Sequence, residues 1–405
     1  MQHPFLATLR EARLRRLWWA MSATCLGDEV QRMALVWLAI GLVGADAAFL
    51  PAAQHAAVLA IGLIGGAFAD QILPRRIMVA AEALRAAVVL LPLAAWALGL
   101  VTLPVLVATA VALAALRALF DPAMQTIVPV VAPDPLRLRG LNGLLDVTTR
   151  TARLGGPALA GALGSVLPVI HLLWLPAAAS LASAAAIASL GARLDPPARP
   201  TQASAWRRAV QGWAILRRDR LIRLLVVANA VMLAPWSLSL SVGLPLLAAE
   251  RGLGLPGLAV LMGAYGVGDV LGNILASARL PRRPYLEMFA GYLWMGGFFI
   301  AVTMAPGLML MAVAALLAGL GGPFFFLQFL ATVQSRLQGA ELTALLRLRL
   351  AIVAGAMMLG AAIGPWPFHA LGAAATVALC GAIIAAVGLW GMRYATSVAA
   401  RAPAR

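Results

Sequence analysis

Three ionisable side chains lie in an otherwise apolar run near the amino terminus, Cys25-Leu26-Gly27-Asp28-Glu29-Val30-Gln31-Arg32. An unpaired charge in the middle of a bilayer costs about 2.5–3.5 kcal/mol even on the forgiving insertion scale, so each must meet a partner or water. Asp28 and Arg32 are four apart, share a helix face and are expected to pair locally. Two readings stay open: a structural ion pair, or a working site in which Asp28 or Glu29 binds a proton while Arg32 meets an anionic group of a small molecule.

Similar chemistry recurs downstream. Glu82 and Arg85 are three apart and Arg117 and Asp121 four apart, and Asn142, Asp146, Arg150 and Arg153 precede Gly155-Gly156-Pro157-Ala158-Leu159-Ala160-Gly161. Ten unpaired charges at about 3 kcal/mol each would oppose insertion by roughly 30 kcal/mol, against a fold stability of about 5–15 kcal/mol. These groups must therefore be paired, hydrated or near an interface, and a polar cavity in the first half is the economical inference. The second half is electrically quiet. Asp269 is its one clear deep carboxylate, with Asn273 one turn on. Asn229, Trp236, Gln328 and the aromatic run Phe324, Phe325, Phe326 beside Gly321-Gly322-Pro323 complete its candidates. The aromatic run either lines an apolar pocket or packs in the core.

The elements that position these residues follow from composition. With 62% hydrophobic and 11% charged residues and a mean hydropathy of +0.92, the chain has too little polar surface for a soluble protein and reads as all-α and polytopic. Hydropathy gives about twelve spans of roughly 20 residues, from about 17–43 to about 373–392, each enough to cross a hydrocarbon layer about 30 Å thick. The expected domains are a six-helix bundle over 1–192, a linker over 193–220 and a second six-helix bundle over 221–405.

All 31 basic residues are arginine, and the formal charge is +16. Their distribution is lopsided: the amino terminus, alternate loops, the central stretch and the tail carry most of them, while the opposite loops hold Arg251 alone. The positive-inside rule then puts both termini and the linker of this multi-pass chain in the cytoplasm. The basic charge is mostly topology, and a nucleic-acid partner is excluded on that ground. Met1 to Arg16 reads as a lead-in to the first helix rather than a cleaved signal. Cys25 and Cys380 lie in apolar spans and His3, His55, His171 and His369 are scattered singly, so neither disulfide nor metal is expected. No cofactor is expected.

The two halves echo one another. Leu73-Pro74-Arg75-Arg76 returns 207 residues on as Leu280-Pro281-Arg282-Arg283, and Gly156-Pro157 returns at nearly the same offset as Gly364-Pro365. Such a period is far longer than a solenoid unit and reads as two homologous halves. Between them Asp195-Pro196-Pro197 and arginines spaced with Trp206 suggest an amphipathic segment lying on anionic lipid headgroups.

The stretch Gly65 to Arg76, GGAFADQILPRR, resembles the 2–3 loop of the major facilitator superfamily, with Gly66, Asp70, Arg75 and Arg76 fitting its glycine, aspartate and basic cluster. Gln71 stands where a basic residue is usual and Pro74 interrupts the basic run. Gly156-Pro157-Ala158-Leu159-Ala160-Gly161 is similar to the helix 5 signature of superfamily exporters, with Ala160 replacing one glycine. Leu26-Gly27-Asp28 ahead of Ala34-Leu35-Val36-Trp37-Leu38, and Asp134-Pro135-Leu136 ahead of Leu141-Asn142-Gly143-Leu144, resemble the branch of macrolide and siderophore exporters.

The resemblance implies a monomeric rocker-switch carrier with its site near the midplane. It implies a proton antiporter exporting a small amphipathic drug- or siderophore-like molecule, with Asp28 and Glu29 handling the proton. The expected substrate cavity uses Arg32, Arg117, Asp146, Arg150, Asp269, Asn273, Trp236, Phe325 and Gln328. Gly66, Asp70, Arg75, Arg76 and Asp121 form the gating motif, and Gly156, Pro157 and Gly161 the exporter helix motif. A lipid-like substrate such as a lysophospholipid, or import of an organic anion, is the alternative. An enzyme is disfavoured, since neither an HExxH, a GxSxG nor a Walker loop is present.

Overall fold

A computed structural model describes residues 11–64, 73–132, 134–191, 205–278 and 281–401, with helices and short connections and no strand among them. The first helices are α1 (Ala12–Val43), α2 (Phe49–Ile64), α3 (Pro74–Ala97), α4 (Leu103–Val131), α5 (Pro135–Gly164) and α6 (Trp174–Ala188). A short helix α7 (Ala205–Arg218) follows. Helices α8 (Arg220–Leu238) and α9 (Leu244–Glu250) are joined by a π-turn, Ser239–Gly243, into one long segment. The chain ends with α10 (Gly254–Ser277), α11 (Pro284–Met304), α12 (Leu308–Arg336), α13 (Gly339–Ile363) and α14 (Pro365–Arg401).

Among the described residues, 10 stretches are long and apolar enough to cross a membrane. One of these, Ala12–Ile61, contains both α1 and α2, and α5 falls outside the set although it is 30 residues long. Arginines, threonines and Asp146 lower the hydropathy of α5, the helix that carries the polar stripe. Counting α1 and α2 separately and including α5 is consistent with twelve spans.

The eleventh span, expected over about 346–370, runs from Gly339 to Ile363. Glu341 dilutes the apolar signal at its start, yet belongs to α13. The described residues of the Leu-Pro-Arg-Arg repeat stand near a helix start in both cases, three residues out of step: Pro74 opens α3, and Pro281 to Arg283 precede α11. Gly156-Pro157 and Gly364-Pro365 are not equivalent. Pro157 lies inside α5, whereas Gly364 caps α13 and Pro365 starts the next helix.

The chain divides into two compact units, Met1–Val43 with Ala56–Gln202, and Gly44–His55 with Ala203–Arg405. In the first, α1 packs on α5 and α6 while α3 packs on α4 and α6. Leu14, Leu17, Met78, Phe120, Ile127, Leu141 and Ile187 form its apolar core at one end. There Arg16 and Arg75 each donate to a carbonyl at the carboxyl end of α6, of Ser189 and Ala188, both at 3.3 Å. Helix ends leave such carbonyls unsatisfied, and the macrodipole favours cations beside them.

The second unit is built on close backbone approaches. A Cβ on Gly268 would meet the Leu316 carbonyl, and one on Gly319 the Tyr265 carbonyl, so α10 and α12 touch backbone to backbone. Small residues permit this contact where no hydrophobic force drives helix association. Phe289, Tyr292, Phe299, Phe325 and Phe329 fill the core. Gly372, at φ 79°, breaks α14 near its start. The helix that resumes there is capped by Glu250, whose Oε1 accepts from the Ala373 N–H at 3.3 Å.

Arg251, expected as the lone arginine of its side, donates to the carbonyls of Ala305 and Thr303 at the end of α11. The linker forms helix α7, but its apolar face is turned to protein. Ile215 and Leu216 are buried, Gly212 abuts Ala344 and Leu348 of α13, and Arg218 pairs with Glu341 at 2.8 Å. Trp213 remains exposed.

Candidate functional site

Near the middle of α1, α3 and α4 the first unit gathers three carboxylates and two guanidinium groups. Asp28 reaches two arginines at once: Oδ1 accepts from Arg85 Nη2, and Oδ2 from Arg117 Nη1 at 2.8 Å. Arg85 also donates to Glu82 Oε1 at 2.7 Å, and Arg117 Nε pairs with Asp121 at 2.7 Å. Thr24 donates to the other Glu82 oxygen at 3.2 Å. The chain of contacts runs Glu82, Arg85, Asp28, Arg117, Asp121.

Burial grades along that chain. Glu82 and Arg85 are sealed, at 0% and 3% side-chain exposure, Asp28 is partly open, and Asp121 is 49% exposed. With every group ionised the set carries one negative charge in excess, and a single added proton would neutralise it. Arg85 Nε is buried without a hydrogen-bond partner among the described residues. The sealed end is thus tightly but incompletely satisfied, the condition under which a buried polar network is most sensitive to change.

The expected pairing of Asp28 with Arg32 is not what forms. Arg32 turns to Glu29 instead, at 2.6 Å three residues away, and is more than half exposed. Asp28 faces α3 and α4, whose arginines take both of its oxygens, and Arg32 points away from it. Glu29 is nearly buried because α5 lies on it: a Cβ added to Gly156 would run into the Glu29 side chain. Gly156, Pro157, Ala160 and Gly161 are all buried, so the exporter motif is a packing face of α5. Trp18 Nε1 donates to Thr148 at 2.8 Å across the same helix pair.

That contact yields a contrast between neighbours. Gly156→Ala is expected to destabilise the purified protein by about 1–3 kcal/mol through overpacking. Gly155→Ala, whose new methyl would meet nothing within 4 Å, should leave the melting temperature nearly unchanged. Equal melting of the two variants in a thermal-shift assay would remove Gly156 from the α1–α5 contact.

Elsewhere on α5, Asp146 and Arg150 pair at 2.8 Å on an exposed face. With Asn142 and Arg153 they form a stripe at four, four and three residue spacing, one helix face. In a membrane such a polar face requires water or protein rather than lipid. Gly66 and Asp70 lie outside the described residues; Arg75 is at the α6 end described above and Arg76 is exposed.

In the second unit Trp236 Nε1 donates to Tyr265 Oη at 2.7 Å, and Asn273 donates to the Asp269 carbonyl at 2.8 Å within its own helix. Asp269 is half-buried on α10 beside the tight glycine crossing. Gln328 is buried with its Oε1 unpartnered among the described residues. Phe325 is fully buried, stacked on Tyr292 at 4.2 Å between centroids. That makes it a core ring in this conformation; the exposed ring beside it is Phe326. Sequence spacing showed Glu82 and Arg85 as a same-face pair but not as the sealed end of a five-residue network. Their signal was of the same kind as that of Asp28, opposite charges inside an apolar run.

A family model described as Major Facilitator Superfamily matches residues 17–365. The chain belongs to that superfamily. This major facilitator protein is therefore a membrane transporter rather than an enzyme. It is 28% identical over 310 residues to the multidrug efflux pump Tap of Mycobacterium tuberculosis, covering 73% of this chain and 72% of that pump. The same values hold for Tap of Mycobacterium bovis. Its fold is that of the nucleoside transporter NupG (TM-score 0.77, 12% identity, 96% of this chain and 100% of the other). A bacterial homologue of the iron transporter ferroportin is also similar (TM-score 0.70, 16% identity, 92% and 98%).

Proposed function

We propose that this transporter exports a small amphipathic organic molecule, drug- or siderophore-like, across a bacterial cytoplasmic membrane in exchange for protons. The observation that carries this reading is the charge imbalance at the centre of α1, α3 and α4, where three carboxylates share two guanidinium groups. Adding or removing one proton changes the net charge of a partly buried cluster, and the conformation that tolerates the charge changes with it. A ligand shifts a two-state equilibrium only through differential affinity for the two states. A proton held in one and released in the other supplies about 1.4 kcal/mol for each unit of pH gradient.

In this reading Asp28 and Glu82 hold the proton, Arg85 and Arg117 set the electrostatics around it, and Glu29 with Arg32 forms a separate local pair. The polar stripe of α5, with Asp146 and Arg150, faces the substrate path. Both termini and α7 lie in the cytoplasm, the side favoured by the arginine distribution, and the two homologous halves alternate about the site as a monomer. Export is supported by the similarity to a pump named for multidrug efflux.

The test is metabolite profiling of cells with and without the gene. A small molecule should disappear from the medium and accumulate inside when the gene is deleted. Identical internal and external pools across growth conditions, with the protein shown to be expressed in the parent strain, would sink export.

A further inference from the structure

The second unit contains a membrane cation whose neighbours are neutral. Arg349 stands ten residues into α13, about 15 Å along the helix at 1.5 Å per residue, inside a stretch long and apolar enough to cross a membrane. No carboxylate lies within ion-pair distance of it among the described residues. The acids nearest in sequence to the helices that hold it are engaged elsewhere: Asp219 with Arg336 at 3.2 Å and Glu341 with Arg218 at 2.8 Å.

Neutral groups hold Arg349 in one orientation. Its Nε and Nη2 both donate to Asn229 Oδ1, at 3.0 and 2.7 Å. The Asn229 amide is itself turned by its bond to the buried Tyr292 hydroxyl, at 3.1 Å. The guanidinium carbon lies 4.9 Å from the Phe329 ring centroid and 5.5 Å from that of Phe326. Such contacts stabilise a cation but supply no countercharge. No hydrogen bond of the remaining nitrogen, Nη1, is found among the described residues, and Arg349 is half-buried. Phe326, 47% exposed, supplies an apolar surface beside it.

We infer that Arg349, fixed by Asn229 and flanked by Phe326, is a binding subsite for an amphipathic organic anion: a carboxylate, sulfonate or phosphate on an apolar body. The anion takes the free Nη1 hydrogens and supplies the missing countercharge, and the apolar body lies on Phe326. A guanidinium pre-oriented in this way gives a charge-assisted bond stronger than a neutral one. The inference rests on the transport reading only in calling the occupant a substrate; the anion preference stands apart from proton coupling and from the direction of transport.

A matched pair of probes tests it, 1-pyrenebutyrate and 1-pyrenebutanol, which differ in the charged group. Purified protein in phosphatidylcholine nanodiscs should bind the carboxylate at least about tenfold more tightly, a ratio equivalent to about 1.4 kcal/mol. Arg349→Gln should bring the two affinities together, while Arg349→Lys should keep part of the difference. Phenylglyoxal labelling of Arg349 in the unaltered protein, followed by peptide mass spectrometry, should be slowed by the carboxylate and not by the alcohol. This arm needs no variant to fold.

Nanodiscs containing phosphatidylglycerol separate two sources of the anion. Displacement of the probe assigns the subsite to a lipid headgroup, and persistence assigns it to a soluble substrate. Equal affinities in the unaltered protein, a preference that survives Arg349→Gln, or labelling indifferent to the carboxylate would each overturn the subsite. Loss of the anion site with pH-driven flux intact would leave the exporter reading standing.

Discussion

Replacing Arg85 by methionine should destabilise the protein by about 3–5 kcal/mol, the usual loss when one partner of a buried ion pair is removed. Arg85 is enclosed and touches two carboxylates, Glu82 Oε1 at 2.7 Å and Asp28 Oδ1. The methionine fills much of the arginine's volume, so the loss comes from charge rather than a cavity. Glu82 would keep Thr24, a neutral donor, and Asp28 would keep Arg117. Changing Glu82 to leucine in the same molecule removes the stranded carboxylate and should return most of the lost stability, because the apolar pair replaces a buried ionic one of similar volume. The comparison is a double-mutant cycle read by thermal denaturation in detergent. Additive effects of the two substitutions would mean that Glu82 and Arg85 do not act as a pair.

The same cluster marks how far residue spacing could be read. Long apolar runs announce themselves in any membrane protein, so the spans were legible, α5 included, and charge blurred their ends. Glu341 and its polar neighbours put the expected start of α13 near 346, inside the helix that begins at Gly339. Pairings were less legible. Spacing of four offers Arg32 to Asp28, but spacing says only which residues share a face, not which face meets which neighbour.

The partners of Asp28 lie 57 and 89 residues away, on α3 and α4. Glu29 takes Arg32 because it stands on the adjacent face, against Gly156 of α5. Phe325 and Phe326 make the same point in the second unit. A step of one residue turns a helix by about 100°, which separates a ring enclosed by Tyr292 and Phe329 from one open beside Arg349. Composition cannot decide that rotation.

The central cluster also distinguishes a coupling role from a structural one. Asp28→Asn leaves Glu82 with Arg85 and Arg117 with Asp121, two complete pairs, so the variant should fold. Glu82→Gln likewise leaves Asp28 with Arg85 and Arg117 with Asp121. Each substitution imitates the cluster with its proton bound and gives it no means of release. In proteoliposomes exchanging one proton for one substrate, a gradient of one pH unit should sustain about a tenfold substrate ratio in the unaltered protein, the equivalent of about 1.4 kcal/mol.

In either variant that ratio should fall to unity, while exchange of labelled for unlabelled substrate at equal pH continues. Exchange needs only the two conformations and a binding site, and the substitutions leave both. The transported probe is the small molecule that metabolite profiling of the deletion strain identifies. Uphill accumulation surviving in both Asp28→Asn and Glu82→Gln would place proton coupling outside this cluster. Loss of exchange together with accumulation would mean that the two carboxylates hold the helices in place and carry no proton. Only the separation of the two activities fits a proton moving on and off three carboxylates that share two arginines.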